Sequence, residues 1–244
     1  MRSQRRLVSP LSAVDLQPNT FIGDVATEIP TKAALATKLA ITENDISYFS
    51  TVGSDIEARI DINYIIPHSC WKANTNITYF KESILGRCIN TGTQGFYGAT
   101  NLLEVEFLAN CRIDQSSFMN SGLKKGIFHN ADTMYYFQAF RGTSTDLLFL
   151  PKLKFRFGDG TFPTTKSFGV AKNIYMPLVE QIGNTQGDES HFLDCPQSVN
   201  IWANPTLETS NGGAEEGDLA YARANKAAII NYAQPVLTPN DFGV

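Results

Sequence analysis

A period of 22 residues runs through the middle of this chain. Residues 95–107 set an aromatic anchor, Phe96, before a small-residue turn and a short strand-like run ending at Phe107. Phe118-Met119-Asn120-Ser121-Gly122-Leu123, leading to Ile127 and Phe128, repeats the plan. Phe140-Arg141-Gly142-Thr143, leading to Leu147, Leu148, Phe149 and Leu150, repeats it again. A fixed period in the twenties marks a solenoid. One such unit buries too little to fold alone. Stacked units pair their strands into a parallel sheet, and each inward Phe, Leu or Ile lands on its equivalent in the next coil.

The same plan extends in both directions. Upstream lies a unit from Ile66 through Trp71 to Phe80. Downstream, one unit has Phe162 or Phe168 as anchor and ends at Met176, and another runs from Ile182 through Phe192 and Cys195 to Ile201 and Trp202. The strand ends Phe80, Phe107, Phe128, Leu150, Met176 and Ile201 are 27, 21, 22, 26 and 25 residues apart. Gly158-Asp159-Gly160 and the run Gly183-Asn184-Thr185-Gln186-Gly187 interrupt the period, as loop insertions in a solenoid do. The expected fold is therefore a mainly β repeat solenoid, a leucine-rich-repeat-like parallel sheet of about six coils. Asn76, Asn101 and Asn173 precede strands, where an Asn side chain is expected to bond local backbone.

Three segments follow from this organisation. Residues 1–60 are expected to form an N-terminal arm and a short helical cap. Pro10, Pro18, Gly23 and Pro30 punctuate the arm. Helical pieces are expected over residues 30–40 (Ala-rich), from the box Thr42-Glu43-Asn44-Asp45 toward Phe49, and over residues 53–60 with Ser54 as cap. Residues 61–205 form the solenoid. Residues 206–244 form a C-terminal cap: an Asn211-Gly212-Gly213 turn, a short helix begun by Glu215, Glu216 and Asp218 and ending near Arg223, a strand over 228–232, and a tail from 233.

Bulk properties narrow the function. The 244 residues are 43% hydrophobic and 18% charged, which is globular composition. A net charge of −4 speaks against a nucleic-acid surface, and the one basic cluster is Arg2, Arg5 and Arg6. Cys70, Cys88, Cys111 and Cys195 show no C-x-x-C spacing. With His68, His129 and His191 scattered, they are expected to be free thiols, with no metal and no cofactor. No apolar run is long enough to span a membrane. After Arg6, the run to Asp15 is broken by Ser9, Pro10 and Ser12, a poor signal-peptide core, so general secretory export is not expected.

Neither G-x-S-x-G nor H-E-x-x-H occurs, so no catalytic residues are assigned. Gly158-Asp159-Gly160 is a turn signal before it is a cation site. Asp188, Glu189 and Asp194 are an acidic loop before they are a calcium site. Glu104 and Glu106 share a strand face. They suit a polar outer surface, with a glycoside-hydrolysing pair as the alternative. If Phe80, Phe107, Leu150, Met176 and Ile201 point inward, then Tyr79, Glu106, Phe149, Tyr175 and Asn200 point outward in one column. Aromatic rings beside Glu and Asn make a candidate surface for a glycan or protein. Alternatively, a neighbouring subunit covers it.

The unit F-x-G-x-x-N-L-x-x-V-x-F at residues 96–107 resembles the BspA-like leucine-rich repeats. The closing run, from Asn200 through Thr209-Ser210-Asn211-Gly212-Gly213 to Gly217-Asp218-Leu219-Ala220-Tyr221-Ala222, resembles the terminal unit of such proteins in bacteriophages of flavobacteria-like hosts. The resemblance covers residues 62–232. It implies binding without a shared active site, as in surface adhesins and phage attachment proteins. The expectation is a homo-oligomeric virion-surface spike or fibre component. Its N-terminal region would contact other virion proteins, and its solenoid a host-surface glycan or protein. Alternatives are a purely structural capsid or tail component, a glycan-cleaving attachment protein, and an adhesin on the extracellular cell surface.

Overall fold

The structure, a computed structural model, describes residues 17–83, 85–135, 138–157, 168–182, 192, 194–208, 218–232 and 236–244. The Arg2–Arg5–Arg6 cluster, Gly158-Asp159-Gly160, Phe162, residues 183–187, Asp188, Glu189, His191, the 211–213 turn, Glu215 and Glu216 lie outside them.

The chain is mainly β, with a parallel sheet wound into a solenoid of about five turns rather than six. Its long sheet contains β5 (Tyr79–Glu82), β7 (Glu104–Phe107), β8 (Lys125–Phe128), β10 (Leu147–Phe149), β12 (Asn173–Met176), β14 (Asn200–Ala203) and β15 (Ile229–Asn231), each parallel to the next. A second face is built from β4 (Tyr64–Ile65) with β6 (Cys88–Asn90), and from β9 (Thr133–Tyr135), β11 (Phe155–Phe157) and β13 (Gln181–Ile182). Bridges Asn90–Arg112 and Ile113–Met134 continue it from one coil to the next.

The anchors occupy turns on a third side, and the 22-residue period becomes a ladder of rings. Phe96 stacks on Phe118 at 5.2 Å, and Phe118 on Phe140 at 5.3 Å. Phe168 stacks on Phe192 at 4.9 Å, which makes Phe168 an anchor. Edge contacts of Phe128 with Phe118 (5.8 Å) and Phe140 (5.9 Å) join this ladder to the sheet. Trp71 is the anchor of the first coil. Around it and the next three anchors, the residues two before and two after are left-handed: Ser69 and Ala73, Gln94 and Gly98, Ser116 and Asn120, Gln138 and Gly142. That alternation aims main-chain groups along the solenoid axis. Trp71 N–H donates to Gly95 O, Phe96 N–H to Ser117 O, and Phe118 N–H to Ala139 O. The turns are thus hydrogen-bonded from coil to coil as the strands are, which satisfies backbone groups that burial would otherwise orphan.

Close stacking sets a steric limit at Gly122. A Cβ there would lie 1.9 Å from the Thr100 carbonyl oxygen of the preceding coil. Gly122→Ala is expected to cost about 1–3 kcal/mol by overpacking, read as a lower denaturation midpoint.

The first segment departs from expectation. Helix α1 (Lys32–Leu39) forms in the Ala-rich run, with Thr31 accepting from Ala34 N–H. The Thr42–Asp45 box also forms, but it supports one short turn, Glu43–Asp45. The chain then enters β2 (Ile46–Val52), turns at Gly53, and returns as β3 (Asp55–Ile60). Residues 53–60 are therefore a hairpin arm, not a helix. Ile56, Ala58 and Ile60 are buried and alternate with Glu57 and Arg59, a period of two that outweighs the capping signal at Ser54. A strand also forms where an irregular arm was expected. β1 (Thr20–Ile22) pairs antiparallel with both β3 and β5, so the long sheet continues without a break into the hairpin.

Helix α2 (Asp218–Lys226) precedes β15. One hydrophobic core runs from Ile22 to Ala222 through all three segments. Cys88, Cys111 and Cys195 are free and buried, and Cys70 is free and half-buried. Burial pushes the Cys70 and Cys195 thiols up to about 12.

The asparagines work differently from the expected local turns. Asn101 Nδ2 donates to Thr75 O at 2.6 Å and Asn173 Nδ2 to Asp146 O at 3.0 Å, both in the preceding coil, while Asn76 bonds Glu28. At Asn101 and Asn173 the neighbouring coil in register offers a carbonyl, and the side chain takes it.

Candidate functional site

Strand register decides which residues share the outer face. Lys81 pairs with Glu106, Glu106 with Ile127, Ile127 with Phe149, Phe149 with Tyr175, Tyr175 with Trp202, and Trp202 with Asn231. Glu106, Phe149 and Tyr175 therefore do form one column. Tyr79 and Asn200 do not belong to it. They lie in the parallel column of Tyr79, Glu104, Lys125, Leu147, Asn173 and Asn200. The expected alignment took Phe80 and Ile201 as equivalents of Phe107, whereas Phe80 pairs with Val105 and Ile201 with Ile174. A two-residue slip keeps the face and changes the column.

The column changes character along its length. At Glu106 it is charged: Glu106 Oε1 meets His129 Nε2 at 2.8 Å. Beside it, Glu104 bridges Lys81 at 2.6 Å and Lys125 at 3.9 Å. The His129 bond holds the Glu106 carboxyl below its usual range, opposite to what a proton-donating carboxyl needs. Beyond Ile127 the column is aromatic. Phe149 and Tyr175 stack at 4.9 Å and 9°, and Trp202 follows Tyr175 at 6.4 Å.

Phe149 and Tyr175 are not open to solvent. Each is 3% exposed and sits in a second apolar cluster, separate from the solenoid core, with Ile127 and Leu147. The chain's own residues 236–244 lie over them. Leu237 N–H donates to the Tyr175 hydroxyl at 3.3 Å. Pro239–Phe242 form one helical turn, held by Thr238 N–H and Oγ1 donating to Asp241. That turn presents Phe242 edge-on to Trp202 at 5.0 Å, to Tyr175 at 5.8 Å and to Phe149 at 6.2 Å. Lys125 Nζ donates to Val244 O at 3.4 Å.

The cover is incomplete. A cleft of about 390 Å³ remains, with His129, Phe149, Lys152, Tyr175, Pro177 and Leu237 on its walls. It combines apolar walls with a histidine and a lysine, the composition of a recognition cleft.

The two other candidate residues have structural partners. The Tyr79 hydroxyl donates to Asp55 Oδ2 at 2.8 Å, tying β5 to the hairpin, and burial followed by that bond pushes its pKa up. Asn200 Nδ2 donates to Asn173 Oδ1 at 3.1 Å, a rung between coils.

His129, Trp202 and Phe242 were missed by sequence reasoning. Trp202 becomes legible once Ala203 rather than Ile201 is aligned with Met176. His129 sits just past the strand end Phe128, where alternation alone stops being informative. Nothing local marks Phe242, because its partners lie far back in the chain.

Among the described residues no helix is long and apolar enough to cross a membrane. Comparison with protein-family models, curated proteins and solved structures gave no match.

Proposed function

We propose that this protein is a non-enzymatic binding solenoid whose recognition surface is the outer face of its long sheet around the His129–Lys152 cleft. The aromatic column carries this reading. Phe149, Tyr175 and Trp202 stand on the face opposite the core, under residues 236–244 and beside a cleft whose walls include His129 and Lys152. Rings on such a face supply contact area with few rotors. The BspA-like resemblance suggests the setting: a phage spike or fibre component, with a glycan or protein of the host surface as partner.

Fluorescently labelled protein is expected to bind flavobacterial cell envelopes saturably at micromolar concentration. Periodate-treated and protease-treated envelopes distinguish a glycan from a protein partner. His129→Ala with Lys152→Ala should weaken binding about tenfold if the cleft is the contact. No saturable binding, or binding that the double variant leaves unchanged, would sink the proposal.

A further inference from the structure

Residues 236–244 do more than fill space, since they show how the outer face holds a peptide. The segment bonds the Tyr175 hydroxyl through one main-chain N–H, places one aromatic ring, and reaches Lys125 with a main-chain oxygen. Phe242 enters edge-on against three rings at once, a recess made by Phe149, Tyr175 and Trp202. These are the parts of a short-peptide site: a backbone contact for register, an aromatic recess for affinity, and a basic rim. The segment that occupies it is held lightly. Val236 is 96% exposed, Leu237 and Phe242 are only half-buried, and Asp241 spends its carboxylate on its own turn.

The geometry points to a peptide-docking groove along Lys125, Phe149, Tyr175 and Trp202. Its partner is a protein segment with an aromatic residue three positions after a proline, as Phe242 follows Pro239. Residues 236–244 are the built-in occupant that such a partner displaces. This deepens the proposed function and rests on it, because it names the class of partner for the same face. A segment of the same chemistry competes with a tethered one only when it binds more tightly or is present at high local concentration. The groove is therefore closed to weak ligands and open to a matching partner.

A labelled peptide of residues 236–244 tests this with the full chain. Wild-type protein, already occupied, should bind it at least about tenfold more weakly than the full-length Phe242→Ala variant, whose own segment has lost its anchor. Full-length Asp241→Ala, which loosens the turn without touching the sheet, should also admit the peptide. A peptide carrying Phe242→Ala should bind the opened protein about tenfold more weakly than the native peptide. Fluorescence anisotropy reads the binding, and the near-ultraviolet signal of Trp202 should change on opening and recover on saturation. If both opened variants stay folded and neither binds the peptide, the segment is ordinary packing and the inference falls. It also falls if wild type and variants bind equally, since the contact then lies elsewhere. Peptide binding without envelope binding would overturn only the proposed host-surface role. Envelope binding with no response to peptide would overturn only the groove.

Discussion

Phe118→Ala is expected to cost about 3–5 kcal/mol of stability, enough to unfold a marginal protein. Phe118 is fully buried between Phe96 and Phe140, with Phe128 against its edge. Truncation opens a cavity at the centre of the ladder and removes three ring contacts, each contributing about 0.5–1.5 kcal/mol beyond area burial. The coils on either side cannot close the gap. Their spacing is held by strand pairing on one side and by the turn bonds of Phe96 and Phe118 on the other. Urea unfolding followed by circular dichroism measures the loss, and a cost under about 1 kcal/mol would mean the ladder relaxes far more than its backbone bonds allow. Phe242→Ala, at a half-exposed ring, should cost much less, which is why it opens the groove without threatening the fold.

The second large effect lies at Glu82. Register places it in the inward row of Phe107 and Phe128, where the other coils put apolar side chains. It is 3% exposed and accepts N–H bonds from Arg87 (2.7 Å), Cys88 (2.6 Å) and Leu108 (3.1 Å). One carboxylate thus fastens the turn after β5 to the coil above. Glu82→Ala would orphan the buried Cys88 donor and the half-buried donors of Arg87 and Leu108, and is expected to cost about 3 kcal/mol or more.

Its titration has an unusual sign for a carboxyl. Burial outweighs the hydrogen bonds and holds the Glu82 carboxyl above its usual range. The stability this contributes is fully present below the unfolded value, about 4.3, and is lost as pH rises through the higher folded value. The melting-temperature advantage of wild type over Glu82→Gln should therefore shrink as pH is raised through that window. An advantage that grows with pH would reverse the assignment. Glu106 works in the opposite sense. Its lowered carboxyl contributes stability above the unfolded value, and that stability is lost as pH falls through the folded one.

How much of this was legible beforehand follows from what repeats. The anchors Phe96, Phe118 and Phe140 recur at a fixed spacing, because equivalent side chains must meet in adjacent coils. The ladder and the parallel sheet were therefore visible in the spacing. The hairpin of β2 and β3 occurs once, and its capping-type residues compete with a strand alternation, so local signals misled there. Glu82 breaks the pattern of its row, and a pattern-breaking residue reads as surface until burial is known.

The candidate face shows the same division. Sequence alternation correctly put Glu106, Phe149 and Tyr175 outward and together, since period two depends only on strand geometry. It could not separate their column from that of Tyr79 and Asn200, because register is set by pairing between strands more than 20 residues apart. Nor could it show that residues 236–244 lie over Phe149 and Tyr175. Amino-acid order by itself determined a mainly β solenoid, its period, its ring ladder and the alternation of its faces, all of which follow from local geometry repeated. Tertiary structure alone decided the register, the burial of Glu82 and the occupant of the aromatic face. Each of these depends on which distant backbone and side-chain groups meet, and no local propensity encodes that.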